Sequence, residues 1–103
     1  MANFHSSSKD RLFKAVLGLS NIEECYAFFE DLMTIRELDD MAQRMDTAVL
    51  LNNGVSYLTI SKEVGVSTAT ISRVNRCLQY GTGGYRQALK RLEQEENDPD
   101  KAP

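Results

Sequence analysis

A glycine at position 65 sits between two short apolar periodicities, and that arrangement limits what this chain can fold into more than any other feature. In the stretch SYLTISKEVGVSTATISRVNRCL, residues 56–78, Leu58, Ile60 and Val64 suit one face of a short helix that begins at Ser56. Gly65 then stands where that helix must end in a left-handed residue, a conformation cheap only for glycine. Val66 is expected as a core plug in the turn. Ser67 is a good N-cap for a second helix, in which Ile71, Val74 and Leu78 fall at i, i+3 and i+7 on a buried face. The opposite face carries Thr68, Ala69, Ser72, Arg73 and Arg76. Two short helices joined by a glycine-containing turn, the second displaying small polar residues and arginines, form the helix-turn-helix arrangement that reads DNA.

Apolar spacing alone would suit any helical hairpin, so charge has to decide. The net charge of −3 looks wrong for a DNA binder until it is divided along the chain. Residues 54–92 hold six basic side chains against one acid, a net of +5, whereas residues 1–53 and 93–103 each carry −4. Screening over about 8 Å at physiological salt makes the local sign matter more than the total. A basic, nearly carboxylate-free second helix within an acidic chain has the electrostatic footprint of a nucleic-acid contact.

The remaining features limit other functions. A length of 103 residues is one modest domain. The N-terminus MANFHSSSKDR is polar and no apolar run reaches membrane length, so a cytoplasmic protein is expected. Cys25 and Cys77 fall at apolar-face positions without metal spacing and are expected as reduced core thiols. His5 is the one histidine. With no nucleophile–base pair and no metal cluster, neither an enzyme nor a metal site is expected.

Along the chain, residues 1–7 are expected as a disordered tail, 8–96 as a helical domain and 97–103 as a disordered acidic tail. Ser8 is expected to cap a first helix with Leu12, Phe13, Val16, Leu17 and Leu19 along its stripe. Asn21 and Glu24 make a capping box for a second, and Thr34 and Glu37 another for a third that runs to about Asn53 and stops at Gly54. Ile35, Leu38, Met41, Met45, Ala48, Val49 and Leu51 are its apolar positions. In the second helix, Ile22, Cys25, Tyr26, Phe28, Phe29, Leu32 and Met33 form a wider apolar face than a peripheral helix needs to bury, which points to a partner subunit. The YGTGGY segment around Gly81, Gly83 and Gly84 reads as a connector, since it lacks the strand and lysine of a P-loop. Tyr85, Ala88, Leu89 and Leu92 mark a last short amphipathic helix.

From Asp31 to Leu92 the sequence resembles the Trp repressor family, most closely the Trp-repressor-related proteins of Gram-positive bacteria of the YerC/YecD type. The resemblance rests on LMTIRELDDMAQR at Leu32–Arg44 and KEVGVSTATISR at Lys62–Arg73. It implies an all-α, six-helix fold and an interlocked homodimer. Carried across, the family's corepressor pocket would use Thr34, Arg44 and Arg73. Two positions depart from the family: the glycine after the second arginine is Val74, and the serine three positions further on is Cys77. An isopropyl group pointing into an indole-sized slot implies that tryptophan is not bound usefully. No cofactor is implied, although tryptophan or another small corepressor remains open as an effector.

These readings point to a sequence-specific regulator of transcription, repressing by occupying promoters as a homodimer on double-stranded DNA. The DNA-contacting residues would be Ser56, Lys62, Ser67, Thr68, Ala69, Thr70, Ser72, Arg73 and Arg76. The alternative is a dimeric helical protein-interaction module with a vestigial helix-turn-helix.

Overall fold

The structure, a computed structural model, describes residues 4–97. It contains six helices and, among the described residues, no strand. They are α1 (Ser7–Leu17), α2 (Ile22–Leu32), α3 (Ile35–Asn52), α4 (Tyr57–Val64), α5 (Thr68–Tyr80) and α6 (Gly84–Glu96). The packing divides into two units, one ending at Leu38 and the other starting at Asp39.

In the first unit the helix starts are set by side-chain caps. The Asn21 carboxamide oxygen accepts from the Glu24 N–H at 2.8 Å, and the Glu24 carboxylate accepts from the Ser20 N–H. Thr34 and Glu37 form the expected reciprocal box: Thr34 Oγ1 accepts from the Glu37 N–H at 3.1 Å, and Glu37 Oε1 from the Thr34 N–H at 2.9 Å. These bonds occupy backbone donors that have no partner within the helix. The cap of α1 differs from expectation, being Ser6 and not Ser8. Its hydroxyl accepts from the Lys9 N–H, while the Lys9 ammonium reaches back to the Phe4 carbonyl at 2.7 Å. Helix therefore begins at Ser7, inside the segment expected as a tail. Residues 1–3 and 98–103 of the two expected tails lie outside the described residues, and Asn97 caps the end of α6.

Neither α1 nor α2 buries a single side chain. Leu17, Ile22, Tyr26 and Ile35 are more than half exposed, and Ile35 is 81% exposed despite its apolar position in α3. The first unit is thus amphipathic helix without a core of its own.

The second unit has its core in two clusters that meet on α5. Ile60, Val66 and Ile71 are buried together, flanked by Leu50, Leu51, Val55 and Val64. Ala48, Val74, Leu78 and Leu89 form the other, flanked by Met45, Val49 and Tyr85. The i, i+3, i+7 stripe of α5 thus serves both clusters, Ile71 in one and Val74 with Leu78 in the other. Thr47 is fully buried and satisfies its hydroxyl by donating to the Gln43 carbonyl at 2.7 Å. Two apolar-face expectations fail here. Leu58 is 67% exposed, because it lies opposite Ile60 on α4, and Cys77 is exposed, one residue short of the buried Leu78.

Candidate nucleic-acid interface

The motif begins at Ser56, whose hydroxyl oxygen caps α4 by accepting from the Thr59 N–H at 3.2 Å. The helix ends at Gly65 with φ +85° and ψ +23°, and the Gly65 N–H closes on the Ser61 carbonyl at 3.0 Å. Ser61 ties the turn from within, donating its hydroxyl to the Val66 carbonyl at 2.8 Å. Val66 itself is buried, as a turn plug should be. Ser67 then caps α5, its hydroxyl oxygen accepting from the Thr70 N–H at 3.1 Å. Each capping serine also donates to the threonine three residues on, Ser56 to Thr59 Oγ1 at 3.0 Å and Ser67 to Thr70 Oγ1 at 3.1 Å. The two helices of the motif start in the same way.

Those caps carry no charge. The first turns of α1, α2 and α3 hold Asp10, Glu23 with Glu24, and Glu37, whereas those of α4 and α5 hold no acid. A helix N-terminus carries roughly half a positive elementary charge. In the first three helices a carboxylate answers it; in the motif it stays uncompensated and open to an outside anion.

With Ile71, Val74 and Leu78 turned inward, α5 presents Thr68, Ala69, Ser72, Arg73 and Arg76 to solvent, as expected from the sequence. Lys62 and Ser56 are exposed on and just before α4. Thr70 is half-buried, and its hydroxyl and that of Ser67 are occupied with each other, which makes both structural as well as surface groups. Sequence reasoning passed over Tyr57 and Leu58, which are exposed in the first turn of α4; helical periodicity placed Leu58 on the wrong face because the helix is only eight residues long.

The three residues expected around a corepressor are not gathered into one cavity. Thr34 belongs to the first unit, where its hydroxyl and N–H are engaged with Glu37. Arg44 lines a small polar cavity of about 220 Å³ with Asp40, Gln43, Gly65, Val66 and Thr70, and Arg73 is not among its walls. Val74 corrects the expectation drawn from the resemblance. Its isopropyl group does not point into an open slot but is 3% exposed, packed with Ala48, Leu78 and Leu89. Glu37 is the titratable group whose environment departs clearly from ordinary: the Thr34 N–H, and then the Thr34 hydroxyl, lower its pKa by favouring the carboxylate.

An all-α chain whose buried α4–α5 pair, left-handed glycine turn and exposed polar α5 face occur together is a helix-turn-helix protein. More narrowly, the chain belongs to the Trp repressor family, since the family profile described as Trp repressor protein matches residues 7–93. It is 49% identical over 89 residues to the uncharacterised protein YerC of Bacillus subtilis strain 168, with 86% of each chain covered. Two solved structures share the fold at a TM-score of 0.83. One is a candidate Trp repressor from Staphylococcus aureus, 46% identical, covering 86% of this chain and 89% of that one. The other is a TrpR-like protein from Eubacterium eligens, 44% identical, covering 85% and 91%.

Proposed function

We propose that this protein is a sequence-specific, double-stranded-DNA-binding regulator of transcription that acts as a homodimer and represses by occupying its promoters. The observation that carries the reading is the solvent-facing side of α5: small hydroxyls and two arginines, on a helix whose uncharged cap leaves its N-terminus free for a phosphate. Each subunit would lay α5 in a major groove, with half-sites about 34 Å apart. Thr68, Ala69 and Ser72 stand at the N-terminal end of the helix, suited to base edges and to the thymine methyl. Arg73, Arg76, Lys62 and Ser56 are suited to phosphates, which set register. The homodimer is supported by the first unit, whose apolar side chains find no core within their own unit.

Tryptophan is not the effector in this reading. The place that a glycine keeps vacant in the Trp repressor is taken here by Val74, which belongs to the core. Micromolar tryptophan binding in a calorimeter would overturn that part.

Selection of bound duplexes from a random pool, at near-physiological salt and without added ligand, tests the whole. A palindrome with half-sites one turn apart is the expected product. Failure to enrich any sequence, together with duplex binding that does not weaken as salt rises, would favour the protein-interaction module, because phosphate neutralisation releases counterions and must show in the salt slope.

A further inference from the structure

The corner between α5 and α6 holds an open groove of about 500 Å³ lined by Cys77, Gly81, Thr82, Gly84, Tyr85 and Ala88. Apart from one hydroxyl and one thiol its side chains are apolar or absent. Beside it Tyr80 is 87% exposed and, one turn beyond Ala88, Leu92 is 42% exposed. The groove is flanked by cations: Arg73 lies one turn before Cys77 on α5, and Arg91 three residues after Ala88 on α6. Arg91 donates only to Gln87 on its own helix, at 3.3 Å.

The chain also contains the complement of this surface. Along α2, Ile22, Tyr26 and Phe29 recur at i, i+4 and i+7, with Ile22 and Tyr26 exposed. Four carboxylates, Glu23, Glu24, Glu30 and Asp31, share that helix with no basic residue, and Glu23 and Glu30 run beside the stripe. An apolar ridge edged with acids thus faces outward on one helix, and an apolar groove edged with arginines opens at the end of another.

We propose that the ridge of α2 in one copy seats in the α5–α6 groove of a second copy, with Glu23 and Glu30 against Arg73 and Arg91. This rests on the homodimer reading and adds where the partner sits: against the C-terminal end of the DNA-reading helix, which each subunit would brace in the other. Two-fold symmetry makes the contact twice. With aromatic side chains burying about 150–250 Å² each and the groove walls burying a similar area, the total is on the order of 1,000–1,500 Å², within reach of a stable interface.

Cys77 makes the seat measurable. The full-length protein is alkylated with N-ethylmaleimide over a range of protein concentrations, modification of Cys77 is followed by peptide mass spectrometry, and oligomeric state is followed by sedimentation. Cys77 should react at least tenfold more slowly in the dimer than in the dissociated chain. The charge edge is tested on exposed residues: E23R/E30R should raise the dimer Kd at least tenfold, and adding R91E should recover much of that loss. Full-rate alkylation of Cys77 in a chain that sediments as a dimer would overturn the seat while leaving the dimer standing. So would protection independent of protein concentration, the mark of a small molecule in the groove, or a triple variant no better than the double. A monomer at every concentration would overturn both the seat and the homodimer reading.

Discussion

Replacing Gly65 by alanine isolates the backbone requirement of the turn, because nothing lies within 4 Å of where the new Cβ would stand. No steric clash contributes, so the cost is conformational. Holding a residue with a Cβ at φ +85° costs about 1–2 kcal/mol, and the loss of glycine's freedom in the unfolded chain returns about 0.4–1 kcal/mol. The net destabilisation should be about 1 kcal/mol. In a domain of this size that lowers the melting temperature by roughly 4–8 °C. Gly65→Asn should cost less, since asparagine visits the left-handed region more readily than alanine. Urea unfolding of the three proteins at one fixed protein concentration gives the comparison, the fixed concentration removing any contribution from self-association. A loss above about 3 kcal/mol for alanine would refute the reasoning, as would asparagine costing as much as alanine.

Further outcomes follow from other parts of the molecule. Arg76→Ala should weaken binding to every duplex and reduce the salt slope by about one, while Thr68→Ala should cost about 1–3 kcal/mol at one base position; equal losses on specific and random DNA for both would sink this division of roles. Val74→Gly should destabilise by about 2.5–4 kcal/mol, from a lost buried side chain and a glycine inside a helix, and should not create tryptophan binding. Urea unfolding and calorimetry on that variant read the two claims separately. The Glu37 carboxyl titrates below its ordinary value in the folded chain, so its stabilisation is complete above that value and disappears as pH falls through the lowered one. Glu37→Gln should therefore flatten the acid limb of a stability–pH profile; an unchanged limb would remove Glu37 from the account.

Much of the motif was legible because its determinants are local. Gly65, Ser56 and Ser67 act within a turn of their own positions, and Ile71, Val74 and Leu78 declare their face by spacing alone. The capping boxes at Asn21 and Thr34 were legible for the same reason. What failed depended on neighbours distant in sequence. Leu58 and Cys77 are apolar residues on helices, and only the packing of Ile60 and Leu78 shows which side faces inward. Thr47 was missed because a buried hydroxyl satisfied by the preceding turn has no signature in composition. Val74 was assigned to a ligand slot by analogy, whereas its own helical spacing had already placed it in the core. Three consecutive serines before Lys9 left the start of α1 open, and the bond from Lys9 N–H chose the first of them.

The contrast between charged and uncharged caps has a consequence for how the molecule comes apart. Acid protonates the Glu37 carboxylate that holds the start of α3, whereas Ser56 and Ser67 have no proton to gain over the same range. Acidification therefore loosens this supporting helix while leaving the two helix starts of the motif fastened. The order of loss is written into the choice of capping side chain, and the element proposed to meet DNA is the one made indifferent to pH.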